Sequence, residues 1–222
     1  FREERELTVL FLVDVSASGA FGSDRCSRLE MAIEVAALLM FSALKNNDKV
    51  GLATFCDEVL DFLPPRKGKA HVLRSIRQLV GARPIARQTN LESMLVYLNR
   101  VQRRRAVVFL ISDFLGPFPD RALLSASRRH DLTAITIADP REQQLPDVGF
   151  VQLVDAETGA RMEVDTRSRA FRRLFEERNQ ARQLQLSRRL RKSGVDQLAM
   201  DTHSDYAESL RRFFHMRELR FR

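Results

Sequence analysis

The stretch LTVLFLVDVSAS, Leu7 to Ser18, sets the tightest limit on what this chain can fold into. Leu7–Val15 is nearly continuous in apolar and β-branched residues, without the alternation of a half-exposed strand. Like the other long apolar stretch, Ala32–Leu44, it falls well short of the roughly 18–20 residues that a membrane span requires. Such a strand is buried on both faces, which happens in parallel sheets covered by helices on both sides. It also stops abruptly in one carboxylate and two hydroxyls, Asp14, Ser16 and Ser18, spaced two residues apart.

The rest of the chain alternates in the same manner. Ser27-Arg28-Leu29-Glu30 has capping-box spacing ahead of a helix from Arg28 to about Lys45. Val50–Phe55 and Glu58–Leu63 read as strands joined in a hairpin by the short Cys56-Asp57 link, the second stopped by Pro64-Pro65. A helix is expected over Ala70–Val80, a loop over Gly81–Gln88, and a further helix to about Arg103 after Thr89-Asn90-Leu91-Glu92, again with capping-box spacing. Ala106–Ser112 repeats the buried-strand character and ends in Asp113. A short helix over Asp120–Arg129 and a strand over Leu132–Ala138 reach the break at Asp139-Pro140.

Strand and helix alternating in this way predict an α/β fold, doubly wound, with a mostly parallel sheet flanked by helices. Residues 1–142 would form this Rossmann-like core. Residues 143–222 would form a C-terminal extension packed on it: a β-hairpin (Phe150–Asp155 and Arg161–Val164 around Ala156–Gly159), a long basic helix, a strand over Val195–Met200 and a helix over Asp205–Met216. Phe171, Leu174, Phe175, Leu184, Leu186 and Leu190 are expected to supply the packed face of the long helix.

The two cysteines, Cys26 and Cys56, form no CxxC pair and suggest neither a disulfide framework nor a zinc site. A reducing cytoplasm fits them. The chain opens at Phe1, so a longer protein is expected, with any inner-membrane anchor upstream. Its formal net charge of +8 is unevenly spread: residues 167–222 hold 15 Lys and Arg against 7 Asp and Glu, whereas residues 1–166 hold 22 of each. Arg172, Arg173, Arg188, Arg189, Arg191 and Lys192 are the candidate contacts for an anionic surface, such as membrane lipid or, less well supported, nucleic acid.

Ligands of open α/β sheets gather at the carboxyl ends of strands. If the strands ending at Asp14 and Asp113 are neighbours, these two carboxylates, Ser16, Ser18 and Thr89 can converge. That set offers hard oxygen ligands suited to magnesium or manganese rather than zinc or copper. With few anionic ligands the ion stays electron-poor and can accept a carboxylate from another molecule. Phe21, Phe114 and Phe118 flank the site in sequence and are candidates for its rim.

The Asp-x-Ser-x-Ser, threonine and aspartate set resembles the metal-ion-dependent adhesion site of von Willebrand factor A domains. That likeness implies direct ligation by Ser16, Ser18 and Thr89, with Asp14 and Asp113 acting mainly through water and hydrogen bonds. Asn90 stands where an aspartate is common. The segments SRLEMAIEVAALLMFSALKNNDKVGLATF, VVFLISDFLG and RRHDLTAITIADPREQQLPDVGFVQLVDAETG, among others from about Glu4 to Phe214, resemble the bacterial domain-of-unknown-function family 58. The resemblance implies a von Willebrand factor A-like domain working with a MoxR-type AAA+ ATPase, and in many members transmembrane helices upstream.

A non-catalytic protein-interaction module is therefore expected, docking a partner's Asp or Glu on the metal. The rival enzyme reading is a magnesium-dependent phosphohydrolase, but that chemistry uses Asp-x-Asp, and Ser16 stands at its third position. No GxSxG elbow, Walker A or GxGxxG motif occurs.

Overall fold

The computed structural model describes residues 6–22, 26–83, 88–154 and 160–220, with side chains described to residue 216. The apolar run beginning at Leu7 is strand β1, Thr8–Asp14, and it lies third in a six-stranded sheet of order β3-β2-β1-β4-β5-β8. Its neighbours are β2 (Lys49–Phe55) and β4 (Val107–Ser112), both parallel to it, with Val13 opposite Thr54 on one side and Ile111 on the other. β5 (Asp131–Ala138) and β8 (Asp196–Asp201) continue the parallel sheet, while β3 (Val59–Arg66) closes the opposite edge antiparallel to β2. β8, from the C-terminal part of the chain, thus joins the same sheet as the strands of the first 142 residues.

Burial on both faces follows from the alternation of side chains along a strand. Val9, Phe11 and Val13 of β1 pack with Phe109 and Ile111 of β4 under helices α1 (Arg28–Lys45) and α2 (Lys69–Val80). On that side Leu210 and Phe213 of α7 (Tyr206–Arg220) cover β8. Leu10 and Leu12 face the other way, with Val108 and Leu110, against α3 (Leu91–Val101) and α4 (Asp120–Arg129). Phe11 and Phe109 stack across the β1–β4 pair with ring centroids 5.4 Å apart.

Four expectations change. β3 does not stop at Pro64-Pro65 but runs through both to Arg66. It is an edge strand with register shifts, where a missing N–H need not break the ladder. Asp139 does not merely end β5; its side chain accepts the Arg141 N–H, and Pro140 opens a four-residue helix, α5 (Pro140–Gln143). Ala17–Ala20, to which the sequence assigns no element, forms a 3-10 turn.

The last concerns α6 (Arg169–Lys192), which is longer than the strand beside it: 24 residues span about 36 Å, six strand residues about 20 Å. Leu190 is buried and Leu186 partly so, but Leu174 and Leu184 are exposed: only the last turns of the helix pack against the core. β6 (Phe150–Val154) and β7 (Arg161–Asp165) pair antiparallel as the expected hairpin, although its turn, Asp155 to Gly159, lies outside the described residues, as do residues 84–87 of the Gly81–Gln88 loop. Among the described residues no helix is long and apolar enough to cross a membrane.

Gly51 marks the tightest packing within β2. A Cβ there would lie 2.7 Å from Leu10 Cδ2 and 3.0 Å from both the Leu63 carbonyl oxygen and Pro65 Cγ. Gly51→Val is expected to destabilise the protein by roughly 1–3 kcal/mol through overpacking, measured as a lowered midpoint of urea or thermal unfolding. An unchanged midpoint would mean that β3 moves aside freely.

Candidate metal centre and its surroundings

The chain winds from β1 to β2 on one side and later places β4 on the other, so the carboxyl ends of β1 and β4 meet where the winding reverses. This is where a doubly wound sheet opens a crevice. Asp14 closes β1 and Asp113 follows β4 directly. Thr89 precedes α3 and is held close because Asn90 N–H donates to the Cys56 carbonyl just after β2. All five expected residues come together: Asp14, Ser16, Ser18 and Thr89 are buried, and the Asp113 side chain is 7% exposed.

Asp14 is the hub. Its Oδ1 accepts the Ser16 N–H at 2.9 Å, and its Oδ2 accepts the hydroxyls of Ser112 at 2.7 Å and Thr89 at 3.1 Å. Thr89 Oγ1 is also 2.8 Å from Ser16 Oγ, which in turn is 3.0 Å from Ser18 Oγ. Thr89 does not cap α3. Asn90 does, accepting the Ser93 N–H, so the threonine hydroxyl is left for the site. Gly116 lets the β4–α4 loop close over it: a Cβ there would stand 2.6 Å from the Thr89 carbonyl oxygen.

Asp113 points elsewhere. Its Oδ1 accepts the Leu115 N–H, and its Oδ2 is 3.3 Å from Nη1 of Arg28. Arg28, 4% exposed, is the first residue of α1, where the helix dipole disfavours a cation. Carboxylates and a carbonyl compensate: Nη1 donates to Glu142 Oε2 at 2.7 Å, and Nε and Nη2 donate to the Ser18 carbonyl. Arg28 therefore ties Ser18, Asp113 and α5 together. Beneath the site a cavity of about 20 Å³, bounded by Asp14, Arg28, Ile111 and Ile137 among others, has room for about one water.

Burial, and secondarily the charge of Asp113, pushes the Asp14 carboxyl up to about 6. Burial likewise raises Glu142, against the pull of Arg28. Phe114, immediately after Asp113, sits at φ 54°, a left-handed conformation uncommon for a bulky side chain. Its N–H is held by Ser112 Oγ and its ring is buried.

That burial removes Phe114 from the expected rim. Phe21 does reach the surface at 40% exposure, with the Arg28 guanidinium 5.6 Å from its ring centroid. Phe118 is half-buried, and Arg189 stacks on it at 4.0 Å while also bonding to Asp120.

Arg189 is thus engaged within the fold, as are Arg172, bonded to Asp147 and the Thr166 carbonyl, and Arg173, paired with Glu177. Arg188, Arg191 and Lys192 are exposed. The six do not form one basic surface, because acidic neighbours one or two turns away, or across the fold, take half of them. Sequence reading missed Arg28, Ser112 and Glu142. A buried arginine at a helix start looks like any capping-box residue, and nothing local marks Glu142 as its partner.

Among the described residues no three of His, Cys, Asp and Glu cluster as a metal site, so any ion here would depend on hydroxyl oxygens. The donor set fits a small hard cation. Octahedral magnesium with oxygens at 2.0–2.1 Å separates neighbouring ligands by about 2.9 Å, and the Thr89–Ser16 and Ser16–Ser18 oxygens stand 2.8 and 3.0 Å apart.

Comparison with known proteins agrees with the fold. Over 92% of this chain and 94% of the other, it superposes on the crystal structure of the conserved hypothetical protein BatB from Bacteroides thetaiotaomicron, with a TM-score of 0.58 at 16% identity. An aerotolerance-related membrane protein from Bacteroides fragilis gives the same TM-score at 17% identity, over 88% of this chain and 92% of that one. The architecture is von Willebrand factor A-like.

In sequence, an uncharacterized protein of Mycobacterium tuberculosis, Rv1480, is 33% identical over 214 residues, 95% of this chain and 67% of its own. An uncharacterized Mycobacterium avium protein, MAV169, is 35% identical over 155 residues, 68% of this chain and 90% of its own. A profile described as protein of unknown function DUF58 matches residues 1–185, and the chain belongs to that family.

Proposed function

We propose that this domain is a non-catalytic interaction module. A divalent cation, magnesium or manganese, is held by Ser16, Ser18 and Thr89, with Asp14 and Asp113 acting through hydrogen bonds and water, and it accepts an Asp or Glu side chain from a protein partner. The observation that carries this reading is the run of hydroxyl oxygens at 2.8 and 3.0 Å, spaced like adjacent corners of a small octahedral shell. Asp14 orients the hydroxyls, while Arg28 draws Asp113 away from direct ligation. An ion with neutral first ligands keeps its appetite for a carboxylate, and Phe21 stands at the edge where a partner would arrive.

A MoxR-type AAA+ ATPase as working partner, in protein maturation, complex assembly or stress response, follows from the family resemblance. A cytoplasmic placement is suggested by the two cysteines that form no CxxC pair, and an inner-membrane anchor for the full-length protein by the family resemblance.

Calorimetric titration with magnesium and manganese is expected to show one site, lost in Ser16→Ala and weakened at least tenfold in Thr89→Ala, with both variants melting cooperatively. Loss of folding in both would make the cluster structural.

Two further outcomes follow from Asp14, which must be ionised to serve the cation. Because protons compete with metal, affinity is expected to be flat above neutrality and to fall as pH drops through about 6, by up to about tenfold per unit. In chelator-treated protein the sign reverses. The folded Asp14 binds its proton more tightly than the unfolded chain does, so stability rises as pH falls from about 6 toward about 4. Asp14→Asn is accordingly expected to stabilise the cation-free protein at neutral pH by roughly 1–3 kcal/mol while abolishing cation binding. A destabilised Asp14→Asn would show that the hub is a purely structural hydrogen-bond acceptor.

A further inference from the structure

Charge is sorted along the strand axis. At the carboxyl ends, every parallel strand meets an aspartate: Asp14 on β1, Asp57 after β2, Asp113 after β4, Asp139 after β5 and Asp201 on β8. The opposite pole, where the parallel strands start, carries Glu6, Asp48, Asp131 and Asp196 but is richer in basic residues. Arg103, Arg104 and Arg105 precede β4, Arg128 and Arg129 precede β5, and Arg191 and Lys192 lie shortly before β8. Lys49 opens β2, and Arg66 and Lys67 stand where antiparallel β3 returns to the same pole. The Ser127 hydroxyl donates to the Ser193 carbonyl at 2.6 Å, which sets the ends of α4 and α6 side by side.

Cations at helix C-termini complement the helix dipole, and that accounts for Arg128, Arg129 and Lys192. It does not account for Arg103–Arg105, which lie beyond the end of α3 at Val101. All five of these arginines are exposed, and among the described residues none of them forms an ion pair with a carboxylate. Lys49 and Lys67, by contrast, share Glu6. Exposed Val101 and Leu124 stand on α3 and α4 beside the arginines, apolar groups that a headgroup interface accepts and a phosphodiester backbone does not use.

We propose that the strand-start pole, centred on Arg103–Arg105 with Arg128 and Arg129, is an electrostatic docking surface for an anionic lipid bilayer. Clustered basic residues are drawn to the negative potential of such a membrane over about a Debye length. These five arginines share one pole, so the protein meets the surface in one orientation. This surface is separate from the cation site, and its test does not depend on a metal.

The test is co-sedimentation of the chain with phosphatidylcholine vesicles, with and without phosphatidylglycerol, at about 0.15 M salt. Binding is expected only to the anionic vesicles, and it should weaken as salt rises. Arg103→Glu with Arg104→Glu should reduce it at least tenfold. Arg178→Glu with Arg182→Glu, an equal charge change in the middle of α6, should alter it less than twofold, as should Asp14→Ala. Thermal melts establish folding, and Arg128→Gln with Arg129→Gln serves as a second probe of the pole if the first variant unfolds. Equal losses in the two glutamate variants, binding to neutral vesicles, or tighter binding to duplex DNA than to anionic vesicles at the same salt would each overturn the proposal.

Discussion

The parallel pairing of β1 with β4 is the contact on which the rest of the molecule depends. It stacks Phe11 on Phe109 in the core and forces the loops after Asp14 and Ser112 apart at the sheet's upper edge. The Asp14 carboxylate then draws those loops and the Thr89 segment back toward one point by accepting bonds from each. A buried carboxylate in this position is tolerable only while its acceptors are filled. The same requirement orders three loops that share no regular structure.

How much was legible in the sequence depended on whether the signal was local. β1, β4 and the capping box at Ser27 are written in consecutive residues, and they form where their patterns lie. The five oxygen-bearing residues could be gathered because strand ends in a parallel sheet share an edge, whatever the intervening chain does. Arg28 could not be foreseen, since its significance lies in Glu142, 114 residues away. Phe114 was misplaced for a related reason: position beside Asp113 suggested the rim, but its left-handed backbone turns the ring into the core.

Charge gives a second example of the same limit. The first 166 residues sum to zero between their ionised groups, which reads as a neutral body. The fold separates part of what the sum cancels, because strands begin at one pole and end at the other, and arginine runs precede β4 and β5 while an aspartate ends or follows each parallel strand. The basic excess of the last quarter, prominent in composition, is partly absorbed by Asp120, Asp147 and Glu177. Location relative to strand direction, rather than net count, decides which cations face solvent unpaired.

The two edges of the sheet are not equivalent, and this bears on how copies of the protein can associate. β3 carries Pro64 and Pro65 side by side near its end, so one donor is missing from its outer flank and one from the side facing β2, and its register is irregular. An incoming strand finds no continuous ladder there. β8 (Asp-Gln-Leu-Ala-Met-Asp) contains no proline and pairs with β5 in unbroken register. Any assembly built by extending the sheet would therefore grow from a single side and stop at a pair, with β8 against β8, since the proline-bearing edge offers no second point of addition.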